Sequence, residues 1–199
     1  MLDKLIESFL KFPGIGPRQA KRFAYFLAGQ DAGFLKNLSE LILEIKKEIK
    51  QCGSCFRFFE STTVVDSCQI CSNSTRDKNL LMIVEKDVDL ENIEKAGIYN
   101  GRYFVLGGVL SLLNNHAGKL RFKELFEKVK ILQQNSVQEE NSQEIILALS
   151  ATPEGENTAL YIEKILEPLK IKITCLGRGL STGTELEYSD KETIKSALE

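Results

Sequence analysis

The chain has 199 residues, 43% of them hydrophobic and 27% charged, which is enough apolar sequence to bury a core and excludes an intrinsically disordered chain. Its formal charge of −2 excludes a surface coated uniformly in positive charge. Residues 1–50 nonetheless hold nine Lys/Arg against six Asp/Glu while the other 149 hold 17 against 22, so a nucleic-acid contact belongs at the N-terminal end. No apolar run approaches the ~20 residues that span a bilayer, and the N-terminus lacks the pattern of an export signal, so the chain reads as soluble and cytoplasmic.

From Leu2 to Leu10 the apolar residues Leu2, Leu5, Ile6, Phe9 and Leu10 recur at helical spacing, and the pattern breaks at Pro13-Gly14-Ile15-Gly16-Pro17. A second helix is predicted from about Arg18 to Leu27. A third covers residues 39–50, with Ser39 as its N-cap and Leu41, Ile42, Ile45 and Ile49 on one face. The segment Phe12-Pro13-Gly14-Ile15-Gly16-Pro17-Arg18 between the first two has the form of a helix-hairpin-helix. Gly14 and Gly16 let the backbone turn sharply and bring N–H groups close to a phosphate, while Ile15 can anchor the turn. Arg18, Lys21 and Arg22 follow on the second helix and are placed to add cations beside the same phosphate, a sequence-independent and salt-sensitive contact. The same glycine spacing also suits a plain αα-hairpin that serves only the turn; the flanking cations favour DNA.

Cys52-x-x-Cys55 and Cys68-x-x-Cys71 are separated by twelve residues. In a chain without an export signal such pairs are read as metal ligands before disulfides, and four thiolates suit tetrahedral Zn2+ with no position left for water. The zinc is therefore expected to be structural, one per chain, supplying folding free energy to a segment with little apolar sequence. Disulfides or unligated thiols are the alternative. Cys175, alone in the apolar run Ile171–Leu176, reads as a buried core thiol.

Beyond the cysteines, short apolar strands alternate with helices: strand 80–84, helix 89–96, strand 102–106, helix 121–130, strand 144–149, helix 157–167 and strand 171–176. That alternation predicts an α/β domain with a largely parallel sheet. The polar stretch from Gln133 to Glu144 is predicted as a surface loop. Glu85 directly follows the first of these strands, and Glu154 and Glu156 lie in the predicted loop Ser150–Glu156 after strand 144–149. Ligand sites in open α/β sheets form beyond the carboxyl ends of strands, so the three carboxylates could converge there. They would then need a Mg2+ or a basic partner between them. Alternatively, Glu154 and Glu156 serve only the N-terminal dipole of the next helix. His116, the single histidine, reads as a loop residue, and Ser181, Thr182 and Thr184 have no recognisable His–carboxylate pair to activate them.

The ordered set of segments resembles the RecR family of bacterial recombination proteins. The likeness covers nearly the whole chain and includes Phe12 to Arg18, the four cysteines with Arg76-Asp77 after them, Tyr103 to Gly108, Glu154-Gly155-Glu156-x-Thr158-Ala159, and Arg178 to Leu180 through Leu186-Glu187-Tyr188. The resemblance implies an α+β multi-module chain: a helix-hairpin-helix DNA-binding module over 1–51, a small four-cysteine zinc finger over 52–77, a Toprim α/β domain over 78–175, and a Walker-B-like segment with a helix over 176–199. It further implies a clamp-like homotetramer that embraces double-stranded, gapped or single-stranded DNA and acts with RecO or RecF to help load the recombinase RecA. On that resemblance Gly14, Gly16, Arg18, Lys21 and Arg22 face DNA, and Glu85, Glu154 and Glu156 fall where Toprim enzymes place acidic residues, here a surface for RecO or a Mg2+ site.

Three departures shape the reading. Toprim enzymes pair their first Glu with Asp-x-Asp, whereas this chain has Glu154-Gly155-Glu156, whose longer side chains favour binding over catalysis. The Walker-B-like segment has no phosphate-binding Gly-x-x-x-x-Gly-Lys-Ser/Thr loop to accompany it and by itself makes no ATPase. Leu113-Asn114-Asn115-His116 stands where the family pattern has Pro and Asp-Gly. The leading reading is a non-enzymatic DNA-binding subunit in recombinational repair. Its rivals are a small Mg2+-dependent Toprim nuclease, primase or strand-passing fragment at Glu85, Glu154 and Glu156, and a protein–protein adaptor without DNA contact.

Overall fold

The computed structural model describes residues 1–61, 66–111, 120–135, 143–177 and Thr193. The chain divides into two compact units, one of residues 1–50 with 60–62 and one of residues 51–59 with 63–199.

The first unit is helical: α1 spans Leu2–Phe9, α2 Pro17–Ala28 and α3 Ala32–Glu48. Pro17 opens α2 at the position where a missing N–H costs nothing. α3 begins seven residues before the predicted start. Asp31, not Ser39, caps it by accepting the Phe34 N–H at 3.0 Å, while the Ser39 hydroxyl sits inside the helix and donates to the Lys36 carbonyl at 2.7 Å. Within the unit α1 packs on α2, where Ala20 and Ala24 are fully buried and Phe9 meets Phe23 edge-on at 5.8 Å. Few side chains are buried here. Phe12, Phe23, Phe26, Leu41, Ile42, Leu43 and Ile45 are all exposed.

The second unit is built on the predicted parallel sheet. In chain order, α3 is followed by the strands β1 (Ile49–Gln51) and β2 (Phe58–Glu60), which form a two-stranded sheet, and then by the one-turn helix α4 (Gln69–Ser72). The main strands are β3 (Leu80–Val84), β4 (Arg102–Val105), β5 (Glu144–Ala148) and β6 (Lys172–Cys175), in the order β4-β3-β5-β6 and parallel throughout. Helices α5 (Asp87–Ala96), α6 (Phe122–Asn135) and α7 (Pro153–Leu166) join these strands.

The period-two alternation of β3 assigns two faces. Leu81 and Ile83 join Phe104, Leu125, Val129, Ile145, Leu147, Ile162 and Leu166 on the face covered by α6 and α7. Met82 and Val84 join Tyr103, Val105 and Leu90 of α5 on the other, together with Cys52, Cys55 and Cys68. Both faces are covered, which is why the strands read as unbroken apolar runs.

The helices run longer than periodicity suggested. α6 continues to Asn135, so Gln133 and Gln134 belong to a helix rather than to the predicted loop, of which residues 136–142 lie outside the described residues. α7 starts at Pro153, because the Thr152 hydroxyl accepts the Gly155 N–H at 3.2 Å and caps it. Cys175, expected as a core thiol, is exposed. It is the last residue of β6, which is an edge strand of the sheet among the described residues. Leu113 to His116, Ser181, Thr182, Thr184 and the Walker-B-like segment lie outside the described residues. Among the described residues no helix is long and apolar enough to cross a membrane.

Candidate nucleic-acid interface and metal centre

The turn between α1 and α2 needs one glycine for its conformation. Gly14 has φ +76°, a left-handed backbone that side chains disfavour by roughly 1–2 kcal/mol. Gly16 has an ordinary φ of −87° and holds the helix start differently, its N–H donating to Gln19 Oε1 at 3.2 Å. Ile15 is half-buried beneath the turn, and its N–H reaches the Phe12 carbonyl at 3.3 Å. Arg18, Lys21 and Arg22 are exposed, and among the described residues none has an ion-pair partner. Three unneutralised cations therefore stand on the first two turns of a helix whose positive dipole end adds to their field.

The four cysteines come together. Their sulfurs all lie within 4.8 Å of one another, Cys55 Sγ and Cys68 Sγ at 3.6 Å. A tetrahedral ion with bonds of ~2.3 Å separates its thiolates by roughly 3.8 Å, so the cluster fits zinc. Each pair is set by a backbone device. Around the first, Phe56 takes φ +64°, its N–H donating to the Cys52 carbonyl at 3.0 Å while the Cys52 N–H reaches the Arg57 carbonyl at 2.9 Å. Around the second, Cys68 leads into α4, which carries Cys71, and the Cys68 N–H donates to Cys52 Sγ at 3.4 Å. A hydrogen bond between Cys55 and Cys68 holds the Cys68 thiol well below its ordinary range and pushes Cys55 well above it. Four sulfurs this close cannot all ionise without a cation among them.

The knuckle is anchored to the sheet. The Val105 N–H of β4 donates to the Cys55 carbonyl at 2.8 Å, and the Phe56 ring meets Phe104 at 5.3 Å with the Arg121 guanidinium also over it. The half-buried Lys128 of α6 donates through Nζ to the Ser54 carbonyl at 2.8 Å and to Ser54 Oγ at 2.9 Å. Burial pulls its ammonium pKa down, against an upward pull from the nearby cysteine charges. Behind the knuckle Arg76 pairs with Glu94, which also accepts from the Tyr103 hydroxyl at 2.7 Å. Burial opposes ionisation of Glu94, but these two partners overcome it and hold its carboxyl below the usual range.

The three sheet-end carboxylates fare differently. Glu85 is buried and accepts the Ser150 N–H at 2.6 Å, a bond that ties the end of β3 to the loop after β5. Glu154 and Glu156 stand on the first turn of α7, where the helix dipole favours them. Among the described residues the cysteines form the one group of ligands close enough to share an ion, and the three glutamates do not form another. Gly155 between them is required by packing, since a Cβ would sit 2.0 Å from the Ser150 carbonyl oxygen. Thr158 is fully buried, accepting the Leu110 N–H at 2.8 Å and donating to the Glu154 carbonyl at 2.6 Å.

Sequence reasoning did not single out Lys128 or Glu94. Ser54 lies 74 residues from Lys128 and Arg76 lies 18 from Glu94, so no local pattern could have shown them.

Known proteins resemble both regions. A family described as RecR, helix-hairpin-helix, matches residues 2–46, and the Toprim domain family matches residues 79–177. A protein named recombination protein RecR from Lactobacillus helveticus (strain DPC 4571) is 37% identical over 196 residues, covering 98% of this chain and 93% of its own. Proteins of the same name from Dehalococcoides mccartyi (strain ATCC BAA-2266 / KCTC 15142 / 195) and Chloroherpeton thalassium (strain ATCC 35110 / GB-78) are 39% and 37% identical over 199 residues, covering all of this chain and 92% and 94% of theirs.

Proposed function

The chain belongs to the RecR family, and from that premise we propose that it is a non-enzymatic, DNA-binding clamp subunit of recombinational repair, acting in the cytoplasm at the nucleoid. The observation that carries this reading is the set of cations Arg18, Lys21 and Arg22, with no ion-pair partner among the described residues, beside the Gly14 turn. In it, N–H groups of the Gly14–Gly16 turn and these side chains hold a phosphate without reading sequence. One structural Zn2+ per chain is held by Cys52, Cys55, Cys68 and Cys71, and the modules divide at 1–51, 52–77, 78–175 and 176–199. The exposed apolar side chains of α2 and α3 support self-association as a homotetramer, in which several weak phosphate contacts act together. RecO or RecF is the protein partner, with loading of RecA at gaps as the outcome. Glu154 and Glu156 serve as an acidic docking surface for that partner rather than as a Mg2+ site, because among the described residues Glu85, Glu154 and Glu156 do not lie close enough together to share an ion.

The test is to incubate the protein with supercoiled plasmid and Mg2+ and to run matched samples before and after deproteinisation. Retarded plasmid that returns to its original position supports the clamp, and Lys21→Ala with Arg22→Ala lowers the slope of log affinity against log salt by roughly 2 on duplex DNA. A nicked or relaxed product abolished by Glu85→Ala would replace this reading with a Toprim enzyme.

A further inference from the structure

We propose that Tyr25 is a base-stacking residue that gives the α2 face a preference for single-stranded DNA; the proposal rests on the reading that this face meets DNA. Arg18, Lys21, Arg22 and Tyr25 follow one another at helical positions i, i+3, i+4 and i+7. At about 100° per residue they share one arc of the helix, with Tyr25 near its middle. Ala20 and Ala24, both fully buried, lie on the opposite side. Tyr25 itself is 63% exposed.

What separates Tyr25 from the other exposed rings of this unit is that they are engaged. Phe9 meets Phe12 and Phe23, and Phe26 meets Phe34 at 6.1 Å. Among the described residues the Tyr25 ring pairs with no other ring and its hydroxyl with no hydrogen-bond partner. An aromatic face held outward between three cations suits a polyanion whose bases are free to stack, and every base offers such a face. Tyrosine also keeps its hydroxyl in water while the ring is covered.

Spacing agrees. Tyr25 is seven residues beyond Arg18, about 10 Å along the axis, a span of a few nucleotides at most. One strand can therefore give its phosphate to the hairpin end of α2 and a base to Tyr25. In a duplex the bases are stacked on one another and the ring has nothing to cover. A second copy docking by this same face would bring the Arg18, Lys21 and Arg22 of both copies together, so like charges oppose that occupant.

The experiment compares full-length wild type, Tyr25→Phe, Tyr25→Ala and the Lys21→Ala/Arg22→Ala double variant on a fluorescent oligo-dT and on a duplex of equal length. Each variant's oligomeric size is checked by sedimentation. Tyr25→Ala is expected to weaken oligo-dT binding about tenfold, with duplex binding, salt slope and oligomeric size unchanged, while Tyr25→Phe retains wild-type affinity. An oligo carrying 2-aminopurine should be quenched by wild type and not by Tyr25→Ala. Equal weakening on both DNAs, no weakening on either, or a smaller oligomer would overturn the proposal. If the double variant weakens binding and Tyr25→Ala does not, only Tyr25 is removed from the interface. If the double variant binds normally, the DNA reading of α2 fails and the proposal fails with it.

Discussion

Lys128→Met tests whether the sheet domain holds the metal knuckle in place. Methionine keeps an apolar stem of similar reach, so packing along α6 is retained while the ammonium is lost. The side chain makes two hydrogen bonds into the first Cys-x-x-Cys loop, at 2.8 and 2.9 Å to Ser54. A hydrogen bond from a charged donor contributes about 1.5–3 kcal/mol net. The two share one partly hydrated cation, so about 2 kcal/mol is the expected loss for the pair. If that energy is used to order the knuckle, zinc affinity falls by roughly 30-fold, within the ~10–100-fold that groups supporting a metal ligand usually contribute. The assay is transfer of zinc from loaded protein to a chromogenic chelator, with far-ultraviolet circular dichroism to confirm that the sheet domain stays folded. A variant whose zinc affinity equals that of wild type would show that the knuckle is ordered without Lys128, by its own backbone, the Val105 bond and the contacts of Phe56.

Two further outcomes follow from the packing. Gly155→Ala forces a methyl against the Ser150 backbone, where a Cβ would lie 2.0 Å from the carbonyl oxygen. The overpacking costs about 2 kcal/mol and should lower the melting temperature by roughly 4–8 °C, read by calorimetry; an unchanged melting temperature would mean that α7 can shift. Glu94, whose carboxyl is depressed by Arg76 and Tyr103, contributes stability that is fully present above the ordinary glutamate range and is lost as pH falls through the depressed value. Urea midpoints of wild type and Glu94→Gln should therefore differ most near neutral pH and converge on acidification; a gap that does not narrow would remove the ionised pair as its cause.

Much of the sheet domain was legible because its signals are local. Leu80 to Val84 could hardly be other than a strand covered on both faces, and the cysteine spacing needs only the knuckle geometry to become a cluster. Helix starts were less legible. Asp31 and Thr152 cap helices whose opening turns contain Gly33 and Gly155, residues that weaken helical propensity, so the periodic pattern becomes visible only further along. Moving the start of α7 to Pro153 changes the chemistry as well as the boundary: Glu154 and Glu156 become first-turn residues spread around a helix rather than loop residues free to converge on Glu85. What the chain order hides most completely is pairing over distance. Lys128 looks like one more surface lysine of an amphipathic helix until Ser54 stands beside it, and Glu94 like one more helix carboxylate until Arg76 and Tyr103 do. Arg18, Lys21 and Arg22 are the converse case. They were legible as a cationic arc because their spacing along one helix is local, and the absence of an ion-pair partner among the described residues is the property a DNA phosphate would use.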